Sequence, residues 1–190
     1  MFAGHFGVAA AVKAKRQEVP LWALMGATQL LDIVFVPMLL SGAETIDSSE
    51  GVGYGKAIIH ADFTHSIVGA LVLAVLAGLL AWKAWGKRSG VTIGAVVFSH
   101  WLLDLLVHRP DLPVLPGNVG DLPLMGFGLW KIPAASAAVE LLLVVVGMVM
   151  YGLSLRLRGA HLANKSKVWT AGIVMGILLG LSLLTDVFGI

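Results

Sequence analysis

Three ionisable residues recur at steps of four in the stretch Ser99-His100-Trp101-Leu102-Leu103-Asp104-Leu105-Leu106-Val107-His108-Arg109, which is otherwise almost wholly apolar. On an α-helix a step of four turns about 40° past a full revolution and rises about 6 Å, so these three side chains would share one narrow stripe. Ionisable groups inside an apolar helix need partners, because burying them alone costs several kcal/mol. An imidazole and a carboxylate one turn apart, His100 and Asp104, are two donors on one helical face, a spacing that suits a divalent metal. The chain has no cysteine, so any ion must be held by His and carboxylate.

Other residues of the same chemistry lie along the chain. His5 sits in an apolar N-terminal segment and Asp32 in the middle of the next apolar run. A third group reads His60-Ala61-Asp62-Phe63-Thr64-His65-Ser66. His60 and His65 are five apart, about 140° around a helix, and converge only if His60 lies in a preceding turn. Thr64 and Ser66 flank His65 and are placed to orient it or to bind substrate. Glu140 and Asp186 lie in later apolar runs, where each fits a helix–helix hydrogen bond as well as a contribution to the site. His108, about 12 Å along the helix from His100, is too far to share one ion with it and falls at the water interface.

The elements that must position these residues are membrane helices. Of 190 residues, 58% are hydrophobic and 13% charged, and the mean hydropathy is +0.90. Soluble domains carry about 25% charged residues. The expected fold is a single all-α transmembrane domain over 1–190, a bundle of five spans near 21–41, 61–82, 91–108, 133–155 and 168–188. Residues 1–12 are too short to span and precede their basic residues, the reverse of a signal peptide; they are expected to form a half-helix dipping into the membrane with His5. The rival reading is a loose terminus. Lys13, Lys15, Arg16, Lys83, Lys87, Arg88, Arg156, Arg158, Lys165 and Lys167 fall on one side of these spans, and only Lys56, Arg109 and Lys131 on the other. The positive-inside rule then places the N-terminal basic cluster in the cytoplasm and the C-terminus outside. A net charge of +2 gives no reason to expect nucleic acid. Of the two long outer loops, 42–60 is acidic and rich in Gly and Ser, and 109–132 is rich in Pro and Gly and is expected to fold as a lid.

At about 1.5 Å per residue, Asp32 lies about 16 Å from the inner edge, His5 about 12 Å, His100 about 13 Å and Asp104 about 20 Å. Measured from the outer edge, Glu140 and His65 are about 10 and 6 Å deep. In a core about 30 Å thick none of them sits in the inner third, so the expected site opens outward.

Together His5, Asp32, His60-x4-Thr64-His65-Ser66 and Ser99-His100-Trp101-Leu102-Leu103-Asp104, with Gly126-Phe127-Gly128-Leu129-Trp130 further on, resemble the bacterial inner-membrane metal-dependent hydrolases of the LexA-regulated YdjM-like group. The resemblance covers His5 to about Asp111 and implies a metal-dependent hydrolase in the bacterial inner membrane; it carries no substrate. The order His, Asp, His, His-x3-Asp is also distantly similar to zinc-dependent phospholipase C, an all-helical fold with three zinc ions. That pattern adds a His-x3-Glu pair and an N-terminal Trp, both missing here. Only Glu140 and Asp186 could substitute, so one or two ions are expected.

The expected activity is hydrolysis of an ester or phosphoester in a lipid or other amphipathic substrate reaching the site from the membrane. His5, Asp32, His60, His65, His100 and Asp104 are the candidate ligands, for zinc first, with manganese or iron as alternatives. Asp32, Asp104, His108 and Glu140 are the candidate catalytic groups, with the general base left open between Asp32 and Asp104. Ser66 and Arg109 are the candidate substrate contacts, Arg109 opposite a phosphate or carboxylate; it would serve equally as an interfacial anchor. Two other readings use the same residues: an ion- or proton-coupled transporter, since intramembrane Asp and His also mark ion pathways, and a b-type haem between His65 and His100.

Overall fold

The structure is a computed structural model, which describes residues 2–47, 58–159 and 165–188. The element order is α1 (Phe2–Lys15), α2 (Leu21–Thr28), α3 (Leu30–Leu40), β1 (Thr45–Asp47), β2 (Ile58–His60), α4 (Ile67–Trp85), α5 (Lys87–Val107), α6 (Pro133–Gly159) and α7 (Lys165–Phe188). Among the described residues three helices, α4, α5 and the Pro133–Leu157 part of α6, are long and apolar enough to cross a membrane, and the bent pair α2–α3 makes a fourth if it counts as one span. In α7, the last of the five expected spans, the described apolar stretch Thr170–Thr185 is shorter than a span, so three to four of the five expected spans are present among the described residues. Outward faces are apolar: α4 exposes Leu71, Val75 and Leu79, α6 exposes Leu142, Val149 and Leu153, and α7 exposes Ile173, Ile177 and Leu181. Bands of this kind belong in lipid, and the chain is a membrane protein.

The N-terminal segment is not loose but packed into the bundle. Its residues Ala3, His5, Ala9 and Ala10 are buried, and α1 packs along α6 while also meeting α2, α5 and α7. Glycines make that approach possible. A Cβ on Gly7 would run into the Leu143 carbonyl, and one on Gly147 into the Gly7 carbonyl. Small residues at such crossings are what let helices pack in lipid. The outcome is that His5 is delivered to the centre of the bundle.

The expected first span is broken. α2 and α3 meet at 52°, with Gln29 off the helical path at φ −111°, ψ 7°. Across the break Gln29 N–H donates to Gly26 O, and Ile33 N–H to Gln29 O, while Thr28 O accepts from the His100 ring at 2.6 Å. A side chain entering the backbone ladder is a recognised cause of a sharp kink. The bend puts Asp32 in the first turn of α3, facing α5. At its other end α3 is closed by Gly42 at φ +77°, where the N–H groups of Ala43 and Glu44 return to the Met38 carbonyl. Only glycine takes that conformation cheaply, and the wrap turns Glu44 back into the protein.

The second expected span starts later than residue 61. Residues 62–65 form a turn, Ser66 caps α4, and α4 begins at Ile67. The two outer loops are both structured where described. In the first, β1 and β2 pair antiparallel with Ile46 opposite Ile59. In the second, Pro113 O and Val114 O accept the first N–H groups of α4, while Phe127 and Gly128 N–H donate to Leu105 O and His108 O at the end of α5. These are the backbone groups that helix ends leave unsatisfied. The expected lid is therefore tied to the helix ends it covers.

Candidate metal centre

Five side chains from four segments converge. α5 supplies His100 and Asp104, both buried and one turn apart. α1 supplies His5, α3 supplies Asp32, and the turn before α4 supplies His65. Trp101 of α5 fixes that turn, its indole N–H donating to the His65 carbonyl at 2.8 Å. Asp104 is the hub. Its Oδ1 is 3.7 Å from His5 Nε2, and its Oδ2 is 3.4 Å from His65 Nε2 and 2.9 Å from His100 Nε2. Asp32 faces the same two imidazoles, Oδ1 3.4 Å from His65 Nε2 and Oδ2 3.7 Å from His100 Nε2. Two overlapping groups could each hold an ion: His5, His100 and Asp104, and Asp32, His65 and His100.

The outer hydrogen bonds of the two histidines decide what the inner nitrogens can do. His100 Nδ1 lies 2.6 Å from a carbonyl oxygen, which only accepts, so Nδ1 carries a proton. His65 Nδ1 lies 2.9 Å from Thr64 Oγ1. That hydroxyl in turn donates to the Glu44 carboxylate, 3.0 and 3.1 Å away. Glu44 accepts two further bonds, from Phe63 N–H at 2.9 Å and Thr64 N–H at 2.8 Å. With its own hydrogen spent on Glu44, Thr64 accepts from His65 Nδ1, and both imidazoles present a lone pair at Nε2 when neutral. Those lone pairs confront two carboxylates. Acceptors packed against acceptors need a cation between them, supplied either by added protons or by a metal ion.

The spacing suits a metal. Ligand atoms 2.0–2.2 Å from a tetrahedral zinc stand about 3.3–3.6 Å from one another, and the Nε2-to-carboxylate separations here run from 2.9 to 3.7 Å. The same geometry rules out a haem between His65 and His100. Their rings are 5.4 Å apart and Asp104 Oδ2 touches both Nε2 atoms, leaving no space for a macrocycle between them.

Other expected site residues lie elsewhere. His60 is on β2, exposed and opposite Thr45, because the segment before the turn is a strand rather than a helical turn. It belongs to neither ion-holding group. His108 is buried, not at the water interface: α5 ends at Val107, His108 leaves the helical stripe, and its ring lies tilted against Trp130, 4.1 Å between centroids, with Nδ1 3.0 Å from Asp111. It still faces the site, 6.3 Å from the His65 ring. Glu140 is buried on α6 and outside both groups. Arg109 lies beyond His108, beside Trp130 and Lys131. The side chain of Asp186 lies outside the described residues.

Ser66 is committed to the backbone. Its hydroxyl donates to Phe63 O and accepts from Gly69 N–H, which makes it the N-cap of α4 rather than a substrate contact. Ser66→Ala is expected to cost about 1 kcal/mol of stability, the usual worth of such a cap, while metal content stays at the wild-type level. Thermal unfolding in detergent with elemental analysis checks both.

Asp32, His65, Asp104 and His108 line a cavity of about 600 Å³ whose other walls are largely apolar, among them Phe6, Ile33, Phe35, Val36 and Leu39. Sequence reasoning missed Glu44, which was one acid among several in an acidic loop, and Gln29, an unremarkable polar residue in an apolar run. Thr64 was marked only by its place beside His65. No family model, curated protein or solved structure matches this chain.

Proposed function

We propose that the protein is a membrane-embedded metal-dependent hydrolase acting on an ester or phosphoester of an amphipathic substrate. The observation that carries this reading is the pair of Nε2 lone pairs held against two carboxylates at metal-ligand separations inside an apolar cavity. The order of these residues along the chain, which resembles the YdjM-like hydrolases, supports it, and with it a place in a bacterial inner membrane with the site facing outward. Zinc is the first expectation for a nitrogen and carboxylate set without thiolate, with manganese or iron next. A fifth span, α7, completes the proposed topology.

A bound divalent metal supplies polarisation of the scissile carbonyl or phosphoryl group and a water of pKa about 7. The chain's own groups divide the remaining work. Glu44 and Thr64 hold His65 in one tautomer, and the Thr28 carbonyl does the same for His100. Asp104, with 5% of its side chain exposed, anchors the ligands, whereas Asp32 is 29% exposed toward the cavity. Asp32 is thus the carboxylate able to reach a water on the substrate side and take its proton. His108, fixed by Asp111 and Trp130, lines the same cavity and is assigned the proton for the leaving group.

The test is hydrolysis by the reconstituted, metal-supplied protein of nitrophenyl esters and phosphoesters of increasing chain length. Turnover that rises with chain length and stops with chelator is expected. No turnover, with metal or proton flux in proteoliposomes, would replace this reading with transport.

A further inference from the structure

The cavity has polar features that the ligand set does not use. Gln29 lines it, is 8% exposed, and among the described residues finds no hydrogen-bond partner for either Oε1 or Nε2. Trp130 lines it from the opposite loop, and its Nε1 is likewise without a partner among the described residues. Buried polar atoms left so carry the full cost of their lost hydration, which a bound polar group removes. Trp130 is shared with a second, smaller cavity of about 310 Å³, lined by Arg109 and Lys131. Two cations thus stand just beyond the aromatic edge of the metal site. On the other side the large cavity runs along Ile33, Val36 and Leu39 of α3 and under the cross-strand pair Ile46 and Ile59. Ile33 and Val36 are also more than half exposed, at 54% and 52%, so the cavity is open along this apolar wall.

We infer that the substrate is an anionic lipid with a phosphate-bearing head. Its acyl chain lies along the α3 wall under the hairpin. Its phosphate reaches between the His/Asp cluster and the Arg109/Lys131 cavity, where the Gln29 amide and the Trp130 N–H, both closed off in the cavity wall, turn in to bond its polar oxygens. This rests on the hydrolase reading of the same site and adds the class of substrate. A purely apolar ligand would leave the Gln29 amide and the Trp130 N–H unsatisfied, and a small free anion would leave the apolar wall empty. Only a molecule with both parts uses all of these features. The volume of about 600 Å³ is within the ~300–1,000 Å³ of ligand sites that bury most of an amphiphile-sized molecule.

The probe is dodecylphosphonate, whose carbon–phosphorus bond an esterase or phosphatase does not cut, titrated calorimetrically into the zinc-loaded protein in neutral detergent. Inorganic phosphate and dodecanol are the parallel arms. Dodecylphosphonate is expected to bind at least about 10-fold more tightly than either. Gln29→Leu, Trp130→Phe and Lys131→Gln are each expected to weaken it about 5- to 10-fold with zinc content unchanged, the cost of one to two lost polar contacts. Equal binding of inorganic phosphate would make the site one for a free anion, and equal binding of dodecanol one for an apolar chain; either overturns the inference. So would wild-type affinity in all three variants. Tight binding by a protein that hydrolyses no ester would leave the lipid site standing and overturn the hydrolase reading alone.

Discussion

Asp104→Asn is expected to strip the protein of its metal and abolish hydrolysis while leaving it folded. This carboxylate meets three imidazoles, His5, His65 and His100, at 3.7, 3.4 and 2.9 Å, and no other side chain among the described residues does so. An amide keeps the volume of the carboxylate but not its charge. Its NH₂ group would point a donor at a position where a ligand must donate electrons. Metal affinity should therefore fall by more than the ~10–100-fold that removal of an outer-shell partner costs. Elemental analysis after dialysis measures this, with circular dichroism and size-exclusion chromatography reporting the fold. Wild-type metal content in the folded variant would show that Asp104 is only a tie between helices. His60→Ala, by contrast, should keep its metal.

Glu44→Gln is expected to lower metal affinity about 10- to 100-fold although Glu44 touches no ligand position. The amide oxygen can still accept the N–H groups of Phe63 and Thr64, so the turn before α4 keeps its shape. The change falls on Thr64. An amide NH₂ donates to the hydroxyl that formerly donated to the carboxylate, so the hydroxyl turns its own hydrogen toward His65 Nδ1. His65 then carries its proton on Nε2, the nitrogen aimed at Asp32 and Asp104. Nitrogen NMR of the imidazole separates this from a structural effect, since a loosened turn would lower stability without exchanging the tautomer. Lower stability with unchanged tautomer and unchanged affinity would reduce Glu44 to a backbone tie.

The parts of this site that follow a helix were legible from the residues alone. His100 and Asp104 fall at a spacing that any α-helix brings to one face, and α5 does so. Depth along the spans pointed to His5, Asp32 and His65 at compatible levels, and they meet. What the spacing could not carry lies where the chain leaves helical geometry. His108 looked like the third member of the stripe, but α5 ends one residue earlier and the ring swings onto Trp130. His60 has the chemistry of a ligand, yet the strand pairing of β1 with β2 leaves it exposed. The break at Gln29 depends on a His100 proton entering the backbone from 72 positions away, a contact that local propensity does not encode. Glu44 is placed by the wrap at Gly42 and recognised by a turn about 20 residues on. Neither event leaves a periodic trace.

The proposed hydrolase depends on metal held by the His5, Asp32, His65, His100 and Asp104 cluster. Its most direct test is elemental analysis of the purified protein after equilibration with zinc, manganese and iron, with the visible spectrum recorded on the same sample. One or two ions per chain, most tightly held for zinc, and no haem absorption are the predicted result. A chain that retains no more metal than its Asp104→Asn variant would contradict the account.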